Sequence, residues 1–305
     1  MYTDIKTILD DANNNNYAVL AASAFNMELA RGLIAAADEM QAPLIILMGQ
    51  AQMTKHARPE LMVPMIRTLA EQTNVPVALI LDHGRDWDKI TWAYRQGFSS
   101  IMVDASAYDM EENIKRTKKV VDLCHIQGVA VEGELGHVGQ AASLDGRDES
   151  LYTKPEEAVR FVKETGVDSL AIACGTAHGN YPKGFVPTIN FDVIRNVKKA
   201  VSVPLALHGG SGSGDENIIK AVAAGINKVN IATEIFNACR DYVKARLEEK
   251  PDLDYMSLMI EVEQECKKTV KHFIELTSSA GKADGFEKKY VFCHGIHEID
   301  TGIGE

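Results

Sequence analysis

Asp82 and His83 stand side by side at the end of "VPVALIL", and Gly84 follows at once. The unbroken apolar run from Val77 to Leu81 suits a strand buried on both faces. A carboxylate and an imidazole at its end therefore need an explanation. For one such pair the plain alternative is a loop that starts with an Asp turn. Two more histidines argue otherwise. His178 in "CGTAHGNY" and His208 in "VPLALHG" each follow an apolar run of their own, and Glu132 and Glu134 close "GVAVEGEL". Three imidazoles at three strand ends, with a carboxylate nearby, match the needs of a catalytic zinc: three protein ligands and one open position. His56, His125, His137 and His272 lie in helical or loop stretches without a partner cluster.

A second chemistry is written in "HGGSGSGDENIIKA", a glycine-rich loop that opens a helix. Bare backbone N–H groups and a helix N-terminus make an anion site. Ser211, Asn230 and Thr233 can add side-chain hydrogen bonds to such an anion. The stretch is no dinucleotide fingerprint, because it comes late in the chain and lacks the later ribose-binding acid. Lys228 shares strand parity with Asn230 and points toward the same interior. A neutral lysine there could form a Schiff base; the reading preferred is an ion pair with Glu132 or Glu134.

These residues need a frame that brings strand ends together. Apolar runs recur as "YAVLAASAF", "PLIILMG", "PVALILD", "SSIMVDAS", "GVAVEGEL", "DSLAIAC", "VPLALHG" and "INKVNIA", with helix-patterned segments between them. Regular strand–helix alternation over roughly 230 residues predicts an α/β protein of the (β/α)8 TIM-barrel type, with active residues at the C-terminal strand ends. A doubly wound open sheet is the structural rival. With no linker or break in composition, a single domain over 1–305 is expected, its barrel core at about 17–248 and C-terminal helices and tail at about 249–305. "TDIKTILDDANNN" predicts a short N-terminal helix covering the barrel floor, and two long helices are expected after the eighth strand. "CHGIH" in the tail holds Cys293, His294 and His297 and reads as an incidental terminal segment.

The net charge of −11 argues against non-specific nucleic-acid binding, which needs a basic field. Five dispersed cysteines without a CxxC pair fit a reducing cytoplasm. The first residues lack a signal-peptide core, and no apolar run reaches the length of a membrane span. A soluble cytoplasmic protein is expected.

"LDHG", "GFSSIMVDAS", "EENIKRTKKVVDLCH", "VEGELGHVG", "TGVDSLAIACGTAHGNY", "PLALHGGSG" and "KVNIATE" resemble the class II, zinc-dependent ketose-phosphate aldolases from about residue 4 to residue 284. "DASAYDMEENI" and "ELGHVG" look most like the YdjI-like branch, which acts on unusual sugars. The resemblance implies His83, His178 and His208 as zinc ligands, with Glu134 as a carboxylate that can swing toward the metal. It implies Asp82 as the acid/base at the aldehyde oxygen. Gly179, Gly209, Ser211, Asn230 and Thr233 fall where relatives hold the phosphate of dihydroxyacetone phosphate, and Asn26 in "AFN" faces the substrate. A phosphosugar substrate, a monovalent cation near the phosphate, and a homodimer or homotetramer are further expectations from the family.

The chain also departs from the family pattern. Ile80 stands where many relatives have a histidine, and Gly49 and Gln50 where many have a serine. Ala141 and Ala142 replace part of a Gly-Gly-Glu-Glu stretch, with Asp145, Asp148 and Glu149 shifted nearby. These differences lead away from fructose 1,6-bisphosphate as the main substrate. They also keep a rival function in play, a phosphosugar-binding sensor that kept the pocket and lost the base.

Overall fold

A computed structural model describes residues 1–141, 148–182 and 184–286. Eight parallel strands form a closed ring: β1 (Val19–Ser23), β2 (Leu44–Gly49), β3 (Val77–Gly84), β4 (Ser100–Val103), β5 (Ala130–Leu135), β6 (Ser169–Ile172), β7 (Leu205–Leu207) and β8 (Ile226–Ile231). β8 pairs with β1 through Lys228↔Val19, and β3 pairs with β4 through Ile80↔Ser100, so neither edge is open. Closure excludes the doubly wound sheet. Residues Tyr2–Thr3 add a short parallel strand beside the start of β3, with Tyr2 opposite Val77.

Side-chain alternation divides the core in two. One set of strand residues packs outward against the helices. The other forms a separate interior cluster that includes Val19, Ile45, Ala78, Ala130, Ala171 and Ala206. Ile5, Ile8, Leu9 and Ala12 of the helix Ile5–Asn14 belong to this interior cluster. Their spacing puts them on one face of that helix, and Asp4 caps it by accepting from the Thr7 N–H at 2.7 Å. This is the barrel floor expected from the N-terminal pattern.

The two expected C-terminal helices are Thr233–Glu249 and Tyr255–Leu276. The second packs on the helix Met27–Glu39, where a Cβ on Gly32 would lie 3.0 Å from the Cys266 Sγ. The first strand is shorter than "YAVLAASAF" suggests. It stops at Ser23, and Asn26 instead caps the helix Met27–Glu39, accepting from the Leu29 N–H at 3.1 Å. Among the described residues no helix is long and apolar enough to cross a membrane. Ala142, Asp145 and the tail residues Cys293, His294 and His297 lie outside the described residues.

Candidate active site and metal centre

The three histidines expected to act together do meet. Their ring centroids lie 4.6 Å apart for His83–His178, 4.8 Å for His83–His208 and 5.8 Å for His178–His208, each pair nearly perpendicular. His83 sits near the end of β3, His208 directly after β7, and His178 in the two-residue strand Ala177–His178, which pairs with Gly139–Gln140. One ring nitrogen from each histidine lies within 4.8 Å of the others, so the trio can hold a metal ion.

Local backbone geometry makes this meeting work. Neighbouring strand residues ordinarily point to opposite faces, yet Asp82 and His83 both face the site. The register between β3 and β4 slips between Leu81 and Gly84, and His83 adopts a left-handed φ of 51°. Such a conformation is uncommon for a residue with a Cβ and clusters at functional sites. Gly84 must then come so close to β4 that a Cβ would lie 2.7 Å from the Met102 carbonyl. The glycine of "LDHG" answers that contact.

Hydrogen bonds fix which nitrogens face inward. The His83 Nδ1 lies 2.9 Å from the Asp104 Oδ2, and the His208 Nε2 lies 3.0 Å from the Glu132 Oε1. A carboxylate only accepts, so each of these nitrogens carries the proton. In the neutral rings, the lone pairs are left on the His83 Nε2 and the His208 Nδ1, which face each other at 3.0 Å. Two lone pairs at that distance repel, so either a proton on His83, whose affinity for it the neighbouring acids raise, or a metal cation must lie between them. The remaining buried polar atoms point the same way. The His178 Nε2, the Glu134 Oε2 and the Asn230 Oδ1 have no hydrogen-bond partner, and only Thr3 Oγ1 shares that state among the described residues. Orphaned buried atoms are costly, and these three belong to the histidine trio or to residues beside it: Glu134 lies 3.7 Å from the His83 Nδ1, and the Asn230 amide lies 3.3 Å from the His208 ring. The donor set of imidazoles and carboxylate fits zinc.

The charges agree. Burial lowers the pKa of His178 to about 3, helped by the other two imidazoles. Burial also lowers that of His208, against the pull of Glu132. His83 differs: burial would lower it, but Asp82, Asp104 and Glu134 outweigh this and lift it to about 9. Glu134 is pushed up to about 7 by burial, with His83 opposing. Burial would raise Asp82 too, but the positive field of His83, His208 and Lys228 keeps its carboxyl below the usual range. This cluster of acids around one imidazole attracts positive charge.

Asp82 receives a hydrogen bond from the Asn230 Nδ2 at 3.3 Å, and the same amide lies 3.3 Å from the His208 ring nitrogens. Asn230 therefore stands between the acid and the histidines. Gly209 has φ 66° and packs so tightly that a Cβ would lie 2.5 Å from the Ala177 carbonyl. The Ser211 Oγ accepts from the N–H groups of Ala232 and Glu234 at 3.1 and 3.3 Å. Ser211 thereby ties the loop after β7 to the start of the helix that Thr233 opens. Gly179 follows His178 with φ 97° and open space where its Cβ would be. Asn26 sits three residues beyond β1 at its helix cap.

Lys228 forms the ion pair that sequence parity favoured: its Nζ lies 2.7 Å from the Glu132 Oε1, with both side chains fully buried. Asp148 is engaged at its own turn: it accepts from the Ser150 N–H at 3.0 Å and caps the short turn Glu149–Leu151. Sequence reasoning underrated Asp104 and Arg85. Asp104 holds His83 on one side and the Arg85 guanidinium, at 2.7 Å, on the other. The one available signal was Asp104 at the end of an apolar run.

A barrel with imidazoles and carboxylates at its C-terminal mouth is the frame of a lyase family. The chain belongs to the class II fructose-bisphosphate aldolase family, whose description matches residues 3–282. It is 40% identical over 288 residues to the Escherichia coli K12 protein YdjI, covering 93% of this chain and 100% of the relative. The crystal structure of the Escherichia coli K12 YdjI aldolase superposes with a TM-score of 0.83 at 39% identity, over 93% of this chain and 100% of that one. The fructose-bisphosphate aldolase of Campylobacter jejuni shares the fold, with a TM-score of 0.78 at 24% identity over 92% of this chain and 97% of its own. The chain is thus an aldolase with a (β/α)8 barrel, from a metal-dependent family that acts on small phosphosugars.

Proposed function

We propose that this aldolase is zinc-dependent and reversibly cleaves a ketose phosphate to dihydroxyacetone phosphate and an aldehyde, with fructose 1,6-bisphosphate not its main substrate. The observation that carries the zinc reading is the convergence of ring nitrogens of His83, His178 and His208 within 4.8 Å of one another, with the His178 Nε2 left without a hydrogen-bond partner. Those three imidazoles hold the metal, and Glu134 is the carboxylate within reach of it. When bound, zinc supplies Lewis-acid stabilisation of the negative charge that develops beside the substrate carbonyl.

The chain's own groups do the rest. Asp82 takes the proton from the C4 hydroxyl in cleavage and returns it in condensation, as a positioned acid/base. Its side chain keeps 21% of its surface accessible, enough to meet a substrate, and Asn230 orients it. Gly179, Gly209, Ser211, Asn230 and Thr233 surround the phosphate end, with a monovalent cation as a further occupant nearby. Asn26 approaches the substrate from the β1 side.

The substrate preference rests on the loop after β5. Ala141 is buried there and its N–H bonds to the His178 carbonyl at 2.8 Å. A residue whose side chain cannot move a proton is thus tied through its backbone to a proposed ligand. Residues 1–305 act as a single barrel domain, in a homodimer or homotetramer, in the cytoplasm. Support for assembly comes from Tyr255, Met256 and Ile260, which are exposed on the last helix.

Exchange of the C3 proton of dihydroxyacetone phosphate tests the reading without knowledge of the aldehyde. Exchange that stops with a chelator and returns with zinc supports it. Metal binding without exchange overturns it in favour of a phosphosugar sensor. Covalent capture at Lys228 by borohydride would replace it with a Schiff-base mechanism.

A further inference from the structure

Inside the barrel, one oxygen atom serves two cationic or donor groups at once. The Glu132 Oε1 lies 2.7 Å from the Lys228 Nζ and 3.0 Å from the His208 Nε2, while the Glu132 Oε2 accepts from the Ser169 Oγ at 2.9 Å. All four side chains are fully buried. Glu132 comes from β5, Ser169 from β6, His208 follows β7 and Lys228 comes from β8, so the network ties half the barrel together. Small side chains stand beside the two long ones: Ala206 sits opposite Lys228, and Ser169 sits opposite Glu132, with Ala171 two residues further along β6.

Such a network has no good reason to exist for stability alone. A buried ion pair roughly breaks even, or loses, against well-packed apolar side chains of the same volume. Its effect on His208 is specific. Because Glu132 can only accept, the proton of His208 is held on Nε2 and the lone pair on Nδ1, the nitrogen that faces His83. The carboxylate in turn is held in place by Lys228. Burial alone would push Glu132 up, yet Lys228 and His208 bring it down to about 2.

We propose that Glu132 and Lys228 are a positioning pair that fixes the tautomer and place of His208, so that Lys228 governs metal affinity without touching metal or substrate. This rests on His208 being a zinc ligand, as proposed above. Groups of this kind, one step behind a ligand, commonly change metal affinity by about 10–100-fold when removed. The pair also gives Lys228 a role that excludes a free amine, since its Nζ is committed to Glu132.

The test separates positioning from mere packing. The double variant Glu132→Leu/Lys228→Met removes both charges together. It is expected to melt no lower than the parent, while its zinc dissociation constant, read by chelator competition, rises about 10–100-fold. Glu132→Gln/Lys228→Met gives back an acceptor for the His208 Nε2–H, and zinc affinity should return toward the parent value. A Leu/Met variant that binds zinc as tightly as the parent overturns the proposal. A second measurement reads the parent protein itself, with one variant used only for assignment. In the parent labelled with ¹⁵N-histidine, the resonances lost in His208→Asn should report the Nε2–H tautomer both with chelator and with zinc. An Nδ1–H tautomer in either sample overturns the proposal. A parent that binds no zinc would sink the zinc reading, while the tautomer result would still be read on its own terms.

Discussion

The lower and upper ends of the barrel interior are built by the same strands with opposite chemistry. Below, Val19, Ile45, Ala78 and Ala130 meet Ile5, Ile8 and Leu9 of the floor helix in an apolar cluster, beside which the buried Ser100 Oγ accepts from the Ile5 N–H at 2.9 Å. Above, β3 carries Asp82 and His83, β5 carries Glu132 and Glu134, and the chain after β7 starts with His208. On β3 and β5, only three residues lie between Ala78 and Asp82 and between Ala130 and Glu134. Apolar burial at about 25 cal/mol per Å² supports the lower end. At the upper end buried charges must be paired, and some polar atoms are left unsatisfied. The contrast teaches that one end supplies stability that the other end spends.

If the two ends are this distinct, damage to one should leave the other's readout alone. The largest effect is expected at the top. His208→Ala should lose the metal and with it turnover, measured as zinc content after gel filtration and as activity; retained zinc with full activity would remove His208 from the ligand set. Asp82→Ala should keep zinc and lower turnover by about 10²–10⁴. Unchanged turnover would assign the proton to another group.

At the floor, Leu9→Ala should cost about 2–5 kcal/mol of stability by opening a cavity. Its zinc dissociation constant should match the parent's. A large loss of zinc affinity in this variant would show that the ends are coupled, and the comparison would fail. Ser211→Ala should have the smallest effect, about 0.5–2 kcal/mol in a denaturant titration, because its oxygen caps a helix start from another loop. The same variant should raise the KM for dihydroxyacetone phosphate; an unchanged KM would limit Ser211 to capping. Chelation sharpens the picture further: it should lower the melting midpoint, and zinc should restore it, since a ligand bound only by the folded state stabilises it.

The division of the molecule was partly legible in the sequence. Apolar runs and their spacing marked all eight strands, and the ionisable residues that follow them marked the mouth. The lower end was legible too, because Ile5, Ile8, Leu9 and Ala12 carry a helical period. What stayed hidden was pairing at long range. Glu132 reaches Lys228 across 96 residues, and Asp104 reaches His83 across 21. No local pattern encodes which of two carboxylates on β5 meets which base. The length of β1 was misread for a different reason: "SAFN" continues the apolar run, but Asn26 is a strong helix cap and the cap prevailed.

The left-handed His83 has a consequence for anyone who would move this site to another scaffold. Copying Asp82 and His83 into a regular strand would send one of the two side chains into the surrounding helices. The slipped register and the close-packed Gly84 must travel with them. The transferable unit is therefore a bent piece of backbone with two side chains attached, and a design that ports only the residue identities inherits the letters without the shape.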